Sequence, residues 1–315
     1  MLTYTVRRIV MMLPILVGIS VISFSIMYVA PGQPAVMNLD PEISPAARER
    51  QIEALGLNEP PHVQYVKWLG SVVTGDFGTS FSRRVPVAEM ILERLPNTLL
   101  LMGAAALLAI VVAIPIGVLS ARKQYTAIDY SVTFGAFLGL ATPNFWLGLM
   151  LIMVFSVQLG WTPVGGVATL GADFSWLDRL RHLILPAIVL ATADMAALTR
   201  YTRSSMLEVL HQDYIRTARA KGLRARTVVY KHGLRNGLIP IVTIVGLMLP
   251  TFVGGAVIVE SLFGWPGIGK LFIDAVFERD YPVIMGITML GALMTVIGNL
   301  VADLLYATLD PRIEY

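Results

Sequence analysis

The sequence predicts an all-α integral membrane protein with about six spanning helices, and three observations carry that reading. Of its 315 residues, 56% are hydrophobic and only 14% charged, against roughly a quarter charged in soluble domains. Mean hydropathy is +0.69. Apolar stretches near the roughly 20 residues a spanning helix needs recur at about 9–29, 97–120, 132–159, 183–200, 238–260 and 283–306. The chain has no cysteine, which excludes a disulfide framework, a thiolate metal site and a cysteine nucleophile.

The first stretch follows Arg7 and Arg8 and ends at Ala30-Pro31-Gly32. Its apolar run exceeds the roughly 7–15 residues of a signal peptide's hydrophobic region, so it reads as an uncleaved anchor. The organisation that follows is 1–30 as the N-terminal end and first span, 31–96 as an outer loop region, and 97–315 as a five-helix core. Within the loop region, Ser44-Pro45 to Gly56 reads as a helix with proline at its first position and glycine past its end. Pro60-Pro61 breaks the chain, and 62–74, with Val63, Val66, Leu69 and Val73, reads as an amphipathic helix. Gly75-Asp-Phe-Gly78 reads as a turn. Composition leaves two roles open for this region: a lid packed on the spans, or a platform for an outside partner.

In the core, Pro115, Gly117, Gly254 and Gly255 lie inside spans, where small residues let helices approach closely. The third span is interrupted at Thr142-Pro143-Asn144, so a kink or break is expected there. Orientation follows from Lys and Arg. Arg7 and Arg8, then Arg122 and Lys123 in the 121–131 loop, share one side with the 201–237 loop. That loop carries Arg203, Arg216, Arg219, Lys221, Arg224, Arg226, Lys231 and Arg235 against Glu208 and Asp213. The 30–96 region on the other side holds eight acids and six bases. Both termini are therefore expected in the cytoplasm.

The basic loop contains Asp213-Tyr-Ile-Arg-Thr-Ala-Arg-Ala-Lys-Gly222. It reads as a short helix, with Asp213 capping its first N–H groups and Gly222 providing a left-handed exit. Arg216, Arg219 and Lys221 make it cationic; Thr217, Ala218 and Ala220 are small enough for another surface to approach. The bland reading is a loop retained inside by its positive charge.

Spacing narrows the choice. The segment resembles the cytoplasmic signature of ABC importer permeases, Glu-Ala-Ala-x3-Gly followed after nine residues by a hydrophobic or His position and Leu-Pro. Ala218, Gly222, His232 and Leu234 match it; Arg216, Thr217 and Arg235 depart from it. Those departures are themselves the wording of the dipeptide/oligopeptide permease family, which also takes in nickel and glutathione transporters. The resemblance continues through Ala30-Pro-Gly32, Gly75-Asp-Phe-Gly78, Arg94-Leu-Pro-Asn-Thr98, Thr142-Pro-Asn-Phe145, Arg203-Ser-Ser-Met206, Glu260 to Gly269, Arg279-Asp-Tyr-Pro282 and Asp310-Pro-Arg-Ile313. It implies a type I importer permease fold in a bacterial cell membrane and a 213–222 helix that couples to an ATPase, using Asp213, Tyr214, Arg216, Thr217, Ala218, Arg219, Lys221 and Gly222. It also implies partners: a homologous second permease subunit, two cytoplasmic ATPase subunits holding ATP and Mg, and an outside substrate-binding protein. Neither a cofactor of this chain's own nor a nucleic acid is expected.

Gly264-Trp-Pro-Gly-Ile-Gly-Lys270 nearly satisfies the P-loop pattern, but Leu271 follows where a hydroxyl would hold Mg. A tight outer turn is the better reading. Ionisable groups within spans are functional candidates. Asp194, with Asn144 and Glu260, is a candidate for the substrate path, where a peptide's ammonium group could be met; an interhelical pair or polar cap is the alternative. Asp303 in the sixth span could pair with Arg200. His62, His182, His211 and His232 show no ligand spacing, and no catalytic constellation stands out. The competing functional reading is an ion-coupled secondary transporter working through Asp194 and Asp303.

Overall fold

The computed structural model describes the backbone of residues 2–29, 49–50, 52–53, 56, 58–248 and 257–309; for 2–9, 243, 247–248 and 302–309 only the backbone is described. The helices are α1 (Leu2–Val29), α2 (Pro61–Val73), α3 (Val87–Arg122), α4 (Ala127–Ala141), α5 (Asn144–Leu151, continued as a π-helix Ile152–Gln158), α6 (Trp176–Leu210), α7 (Asp213–Ala220), α8 (Ile239–Met248), α9 (Val257–Leu262), α10 (Ile268–Glu278) and α11 (Tyr281–Leu309). Among the described residues there is no strand, and α1, α3, α6 and α11 are long and apolar enough to cross a membrane. The pair α4 and α5 adds a fifth span if its halves are one element; they meet at 103°, at Thr142-Pro143. Pro143 can neither donate to the α4 ladder nor let Thr142 stay helical, so Thr142 is extended (φ −83°, ψ 120°). The predicted 238–260 span runs through 249–256, and Gly254 and Gly255 fall there, outside the described residues. So does the start of the helix predicted from Ser44.

Two boundaries differ from the sequence reading for one reason. Helices α3 and α6 have 36 and 35 residues, about 54 and 52 Å of rise, against a hydrocarbon core of about 30 Å. Each therefore continues beyond its apolar stretch. The first turns of α3 leave the membrane on one side and pack Val87, Met90 and Ile91 against Ile268, Leu271 and Ala275 of α10 and Val283 and Ile287 of α11. At the other side α6 carries the start of the predicted 201–237 loop as helix, to Leu210.

The central seam joins α3 to α6. Ala105, Ala109, Ala113, Gly117 and Ala121 recur every fourth residue along α3 and all are buried. A row of small side chains lets two backbones meet closely, which is how helices gain packing where lipid supplies no hydrophobic drive. At Gly117 an added Cβ would lie 2.6 Å from the Thr202 Cβ and 2.8 Å from the Thr199 carbonyl oxygen.

Buried carboxylates fasten the ends. At the basic end, Asp129 on α4 receives Arg203 of α6 through two bonds, Nε to Oδ1 at 2.6 Å and Nη2 to Oδ2 at 2.7 Å. Ser120 of α3 donates to the same carboxylate, as does the Tyr125 N–H at 3.0 Å. Three helix ends thus share one ion pair. Arg203→Ala is expected to cost roughly 3–5 kcal/mol, the range for breaking a buried pair. The loss should exceed that of Asp129→Ala, because the stranded Asp129 side chain is 3% exposed and the Arg203 side chain 26%. Heat-unfolding midpoints of the two purified variants give the comparison.

At the opposite end Asp280 is 1% exposed. It accepts bonds from the Phe81 and Ser82 N–H groups (3.0 and 3.1 Å) and from the Ser80 and Ser82 hydroxyls, drawing the 80–82 loop onto the start of α11. The expected Gly75–Gly78 turn is present, with the Gly78 N–H donating to Asp76 Oδ1 at 2.8 Å. Helix α2 lies against α1, with the Ser20 and Tyr65 hydroxyls 2.8 Å apart and the Phe24 ring 5.5 Å from that of Tyr65.

Candidate functional site

Helix α7 is two turns long, and its termini explain its boundaries. Asp213 is not the cap that the sequence suggested. Gln212 holds that place with extended backbone (φ −70°, ψ 151°), and no side chain caps the first turn. Asp213 sits one residue later, inside the helix. There its carboxylate opposes the partial positive charge of the N-terminus and lies 3.3 Å from Arg216. The exit is as expected. Gly222 has φ +73°. Its N–H donates to the Arg219 carbonyl (3.0 Å) and that of Leu223 to the Ala218 carbonyl (3.4 Å), the paired bonds of a Schellman end.

The inner face of α7 is Ile215 and Ala218, three residues apart, packed on Val228. Ile215 is fully buried and Ala218 8% exposed. Ala218 is therefore not part of the surface offered to a partner, as the sequence reading had it; its small side chain serves packing within the chain. Ile215 was missed, although an isolated β-branched residue among charges, one turn before an alanine, is the signal for it. The outer face consists of Asp213, Arg216, Thr217, Arg219, Ala220 and Lys221, all exposed. Tyr214 is partly engaged: its hydroxyl accepts from Asn236 Nδ2 at 2.9 Å.

The return from α7 to the spans is tight. Residues Val228–Gly233 form a π-helix, which places Val229 against Val118, Met206 and Leu210. At Gly237 an added Cβ would be 2.7 Å from the Met206 sulfur, and the Ser205 hydroxyl donates to the Gly237 carbonyl at 2.8 Å. The basic hairpin is thus seated on the last turns of α6 and runs directly into α8.

The intramembrane candidates are placed apart; no hydrogen bond or ion pair joins Asp194, Asn144 and Glu260 among the described residues. Asn144 opens α5 at the bend and is half-buried. Asp194 lies near the middle of α6, exposed on the face that this chain leaves open. Glu260 is fully buried and faces no open path. Its Oε1 accepts from the Thr98 hydroxyl (2.8 Å) and its Oε2 from the Lys270 N–H (3.0 Å); Thr98 in turn accepts from the Ile268 N–H (2.8 Å). The P-loop look-alike at 264–270 is therefore a helix N-terminus that holds an anion, as such termini do, and the anion is the chain's own carboxylate. The Trp265 N–H returns to the Glu260 carbonyl at 2.8 Å and its indole donates to the Asn97 carbonyl at 2.9 Å, closing the turn. The Asp303 side chain lies outside the described residues. Arg200 stands over the Phe137 ring at 5.2 Å.

Comparison with known proteins adds identity to this geometry. A family model described as "Binding-protein-dependent transport system inner membrane component" matches residues 113–315, and its N-terminal companion matches 1–102. The "Oligopeptide transport system permease protein AppB" of Bacillus subtilis is 61% identical over the full length of both chains. The "Dipeptide transport system permease protein DppB" of Escherichia coli K12 is 40% identical over all of this chain and 99% of its own length. Among solved structures, a chain of the inward-facing MetNI methionine ABC transporter superposes with a TM-score of 0.57 at 16% identity, covering 70% of this chain and 96% of that one. That likeness concerns the fold.

Proposed function

The chain belongs to the family of binding-protein-dependent transport inner membrane components, a multi-pass permease subunit of an ABC importer without catalytic activity of its own, and from that premise we propose that its cargo is peptide and that α7 is where ATP-driven work enters it. Full-length similarity to permeases named for oligopeptides and dipeptides supports the cargo. The partners are a second, homologous permease subunit, two ATPase subunits that bind ATP and Mg, and a delivery protein outside. The membrane is the bacterial inner membrane, with both termini and the Asp129–Arg203 end in the cytoplasm, a placement that the Lys and Arg distribution supports. Membership of this family sets aside the ion-coupled alternative.

The observation that carries the coupling role is the construction of α7. It has a buried apolar side of only two residues, an outer face of charged and small side chains, a fixed left-handed end, and a rigid seat on α6. A positively charged loop needed only for orientation requires none of these. Closure of the ATPase pair would carry α7 with it, and α6 and α8 would follow as levers, reopening the path toward the other face. Asp194, ionisable and without a partner among the described residues, belongs on the path side, since a carboxylate facing lipid is costly.

The test is uptake of labelled peptide into sealed vesicles. With the assembled complex, uptake should require ATP and the delivery protein and should persist when a protonophore collapses the pH gradient. Uptake by this chain alone, driven by a pH gradient, would refute the proposal.

A further inference from the structure

The ends of α3 and α6 and the last turn of α7 converge on an open cavity of about 340 Å³. Its polar side chains are Arg122 and Gln124 at the end of α3, His211 just past α6 and Arg219 on α7; Leu207 and Val229 form part of its apolar wall. Among the described residues no carboxylate lines it, and the side chains of Arg122, Gln124 and Arg219 make no hydrogen bond or ion pair. His211 is held in place, its Nδ1 donating to the Leu207 carbonyl at 2.6 Å, so Nε2 is its free nitrogen. Two guanidinium forks, an amide and an imidazole thus face one space that has no counter-charge of its own.

Helix ends account for part of this. Arg122 lies in the last turn of α3 and Arg219 in that of α7, where a cation answers the partial negative charge of a C-terminus. Three such ends bring about half a negative charge each, against two full positive charges, so the cavity stays cationic. The last carbonyls of α3 are moreover already taken, those of Leu119 and Ser120 by the Lys123 N–H. Capping explains an arginine on each helix; it does not explain why both, from elements about a hundred residues apart, line the same polar space. A ligand that suits the wall is an anion with several acceptor oxygens. A phosphate group is one, and arginine forks bind it through parallel N–H bonds. Basic pockets between spanning helices on the cytoplasmic side take up anionic lipid headgroups in this way.

We infer that this cavity is a phosphate site, in which Arg122 and Arg219, with Gln124 and His211 beside them, hold one phosphate group between the end of α3 and α7. Arg122 follows the 97–120 apolar stretch by two residues, which sets it at the level of lipid headgroups. The source to test first is therefore an anionic phospholipid of the cytoplasmic leaflet, and the second is free phosphate. The lipid source rests on the orientation proposed above; the phosphate chemistry does not. A phosphate in this place would tie α7, which packs on Val228, to a spanning helix as well.

The test uses the assembled complex in phosphatidylcholine nanodiscs carrying a trace of phosphatidylglycerol with a photoreactive headgroup. Cross-links are mapped by peptide mass spectrometry, and labelling at 121–124 and 207–219 is the expected result. Arg219 is also assigned to the coupling face, so variants elsewhere on the wall carry the test. Arg122→Gln should weaken the labelling about tenfold, the scale of one charge-assisted bond, and Arg122→Lys should keep part of it. Gln124→Glu, which puts a carboxylate on the wall, should act like Arg122→Gln while leaving both arginines in place. Arg122 is exposed and has no partner among the described residues, so its loss should not disturb folding. Inorganic phosphate, added against chloride at equal ionic strength, separates the sources. Displacement of the label shows that free phosphate enters the site as well; persistence of the label confines the site to lipid; either supports the inference. Labelling that is equal with a phosphatidylcholine probe, or unchanged by Arg122→Gln and Gln124→Glu, overturns it. If Arg122→Gln instead releases the ATPase and leaves the labelling intact, an acidic side chain of that partner fills the cavity and the inference falls, with the coupling role of α7 left standing.

Discussion

Glu260→Ala should destabilise the chain by roughly 2–6 kcal/mol, because it strands two buried donors at about 1–3 kcal/mol each. The carboxylate is 0% exposed and both its oxygens are engaged, by the Thr98 hydroxyl and the Lys270 N–H. Its removal leaves those donors facing a dry void, and an unsatisfied buried donor costs far more than an exchanged hydrogen bond. The structure has little room to collapse and compensate. Gly267 and Gly269 press on the carboxylate: an added Cβ would sit 2.4 Å from it at Gly267, and at Gly269 it would meet the Val257 backbone at 2.7 Å. Glu260→Gln keeps the shape but exchanges one acceptor for a donor aimed at another donor, so it should recover only part of the loss. Thr98→Ala removes the relay to Ile268 and should cost roughly 1–3 kcal/mol. Heat-unfolding midpoints and the rate of proteolytic cutting near Trp265 report on all three. An alanine variant that melts with the wild type would mean that the turn is held by packing alone.

What the sequence made legible follows from which kind of information each feature needs. Spans depend on composition over about 20 residues, so α1, α3, α6 and α11 could be read directly; the break at Pro143 is local chemistry and could be read as well. The end of α7 was equally local, since a glycine after a short run of helix formers has few other uses. The capping residue was misplaced by one position because Gln212 and Asp213 differ only in which of them is the first to leave helical backbone. The carboxylate clamps were not legible. Thr98 and Glu260 are 162 residues apart, Asp129 and Arg203 are 74, and Ser80 and Asp280 are 200. No periodicity encodes such pairings. One trace of them existed: Arg94–Thr98, Arg203–Met206, Glu260–Gly269 and Arg279–Pro282 are four of the short stretches through which the family resemblance ran. Each of them turns out to contribute one side of a clamp. Part of the family's wording thus records how helix ends are fastened, whereas Asp194, proposed above for the path, lies in a stretch that contributed nothing to the resemblance.

Charge reversal on the outer face of α7, Arg216→Glu with Arg219→Glu, should abolish transport while the chain still inserts and folds. One acid and three bases, Asp213 against Arg216, Arg219 and Lys221, give the helix a net charge of +2, and the double variant makes it −2. Close charge pairs across an interface couple by about 1.5 kcal/mol or more each, so ATPase binding should weaken about a hundredfold or more. Folding should be spared, because the ion pair of Arg216 within the chain is with the 93% exposed Asp213 side chain, and exposed pairs contribute little. Gly222→Val tests the same element by a different physical route. Open space surrounds the position, so a side chain there meets no clash. The left-handed backbone, however, costs an L-residue roughly 1–2 kcal/mol, and a β-branched one tolerates it poorly. The helix end should unwind and lose the bonds to the Ala218 and Arg219 carbonyls. Gly222→Asn, which accepts that conformation, should retain most coupling, separating backbone geometry from side-chain bulk. Co-purification of the ATPase, ATP hydrolysis by the complex and peptide uptake are the three readouts. Wild-type values for all three in the double arginine variant would remove α7 from the coupling path and return the 213–222 segment to what its charge alone implies, a loop that sets orientation.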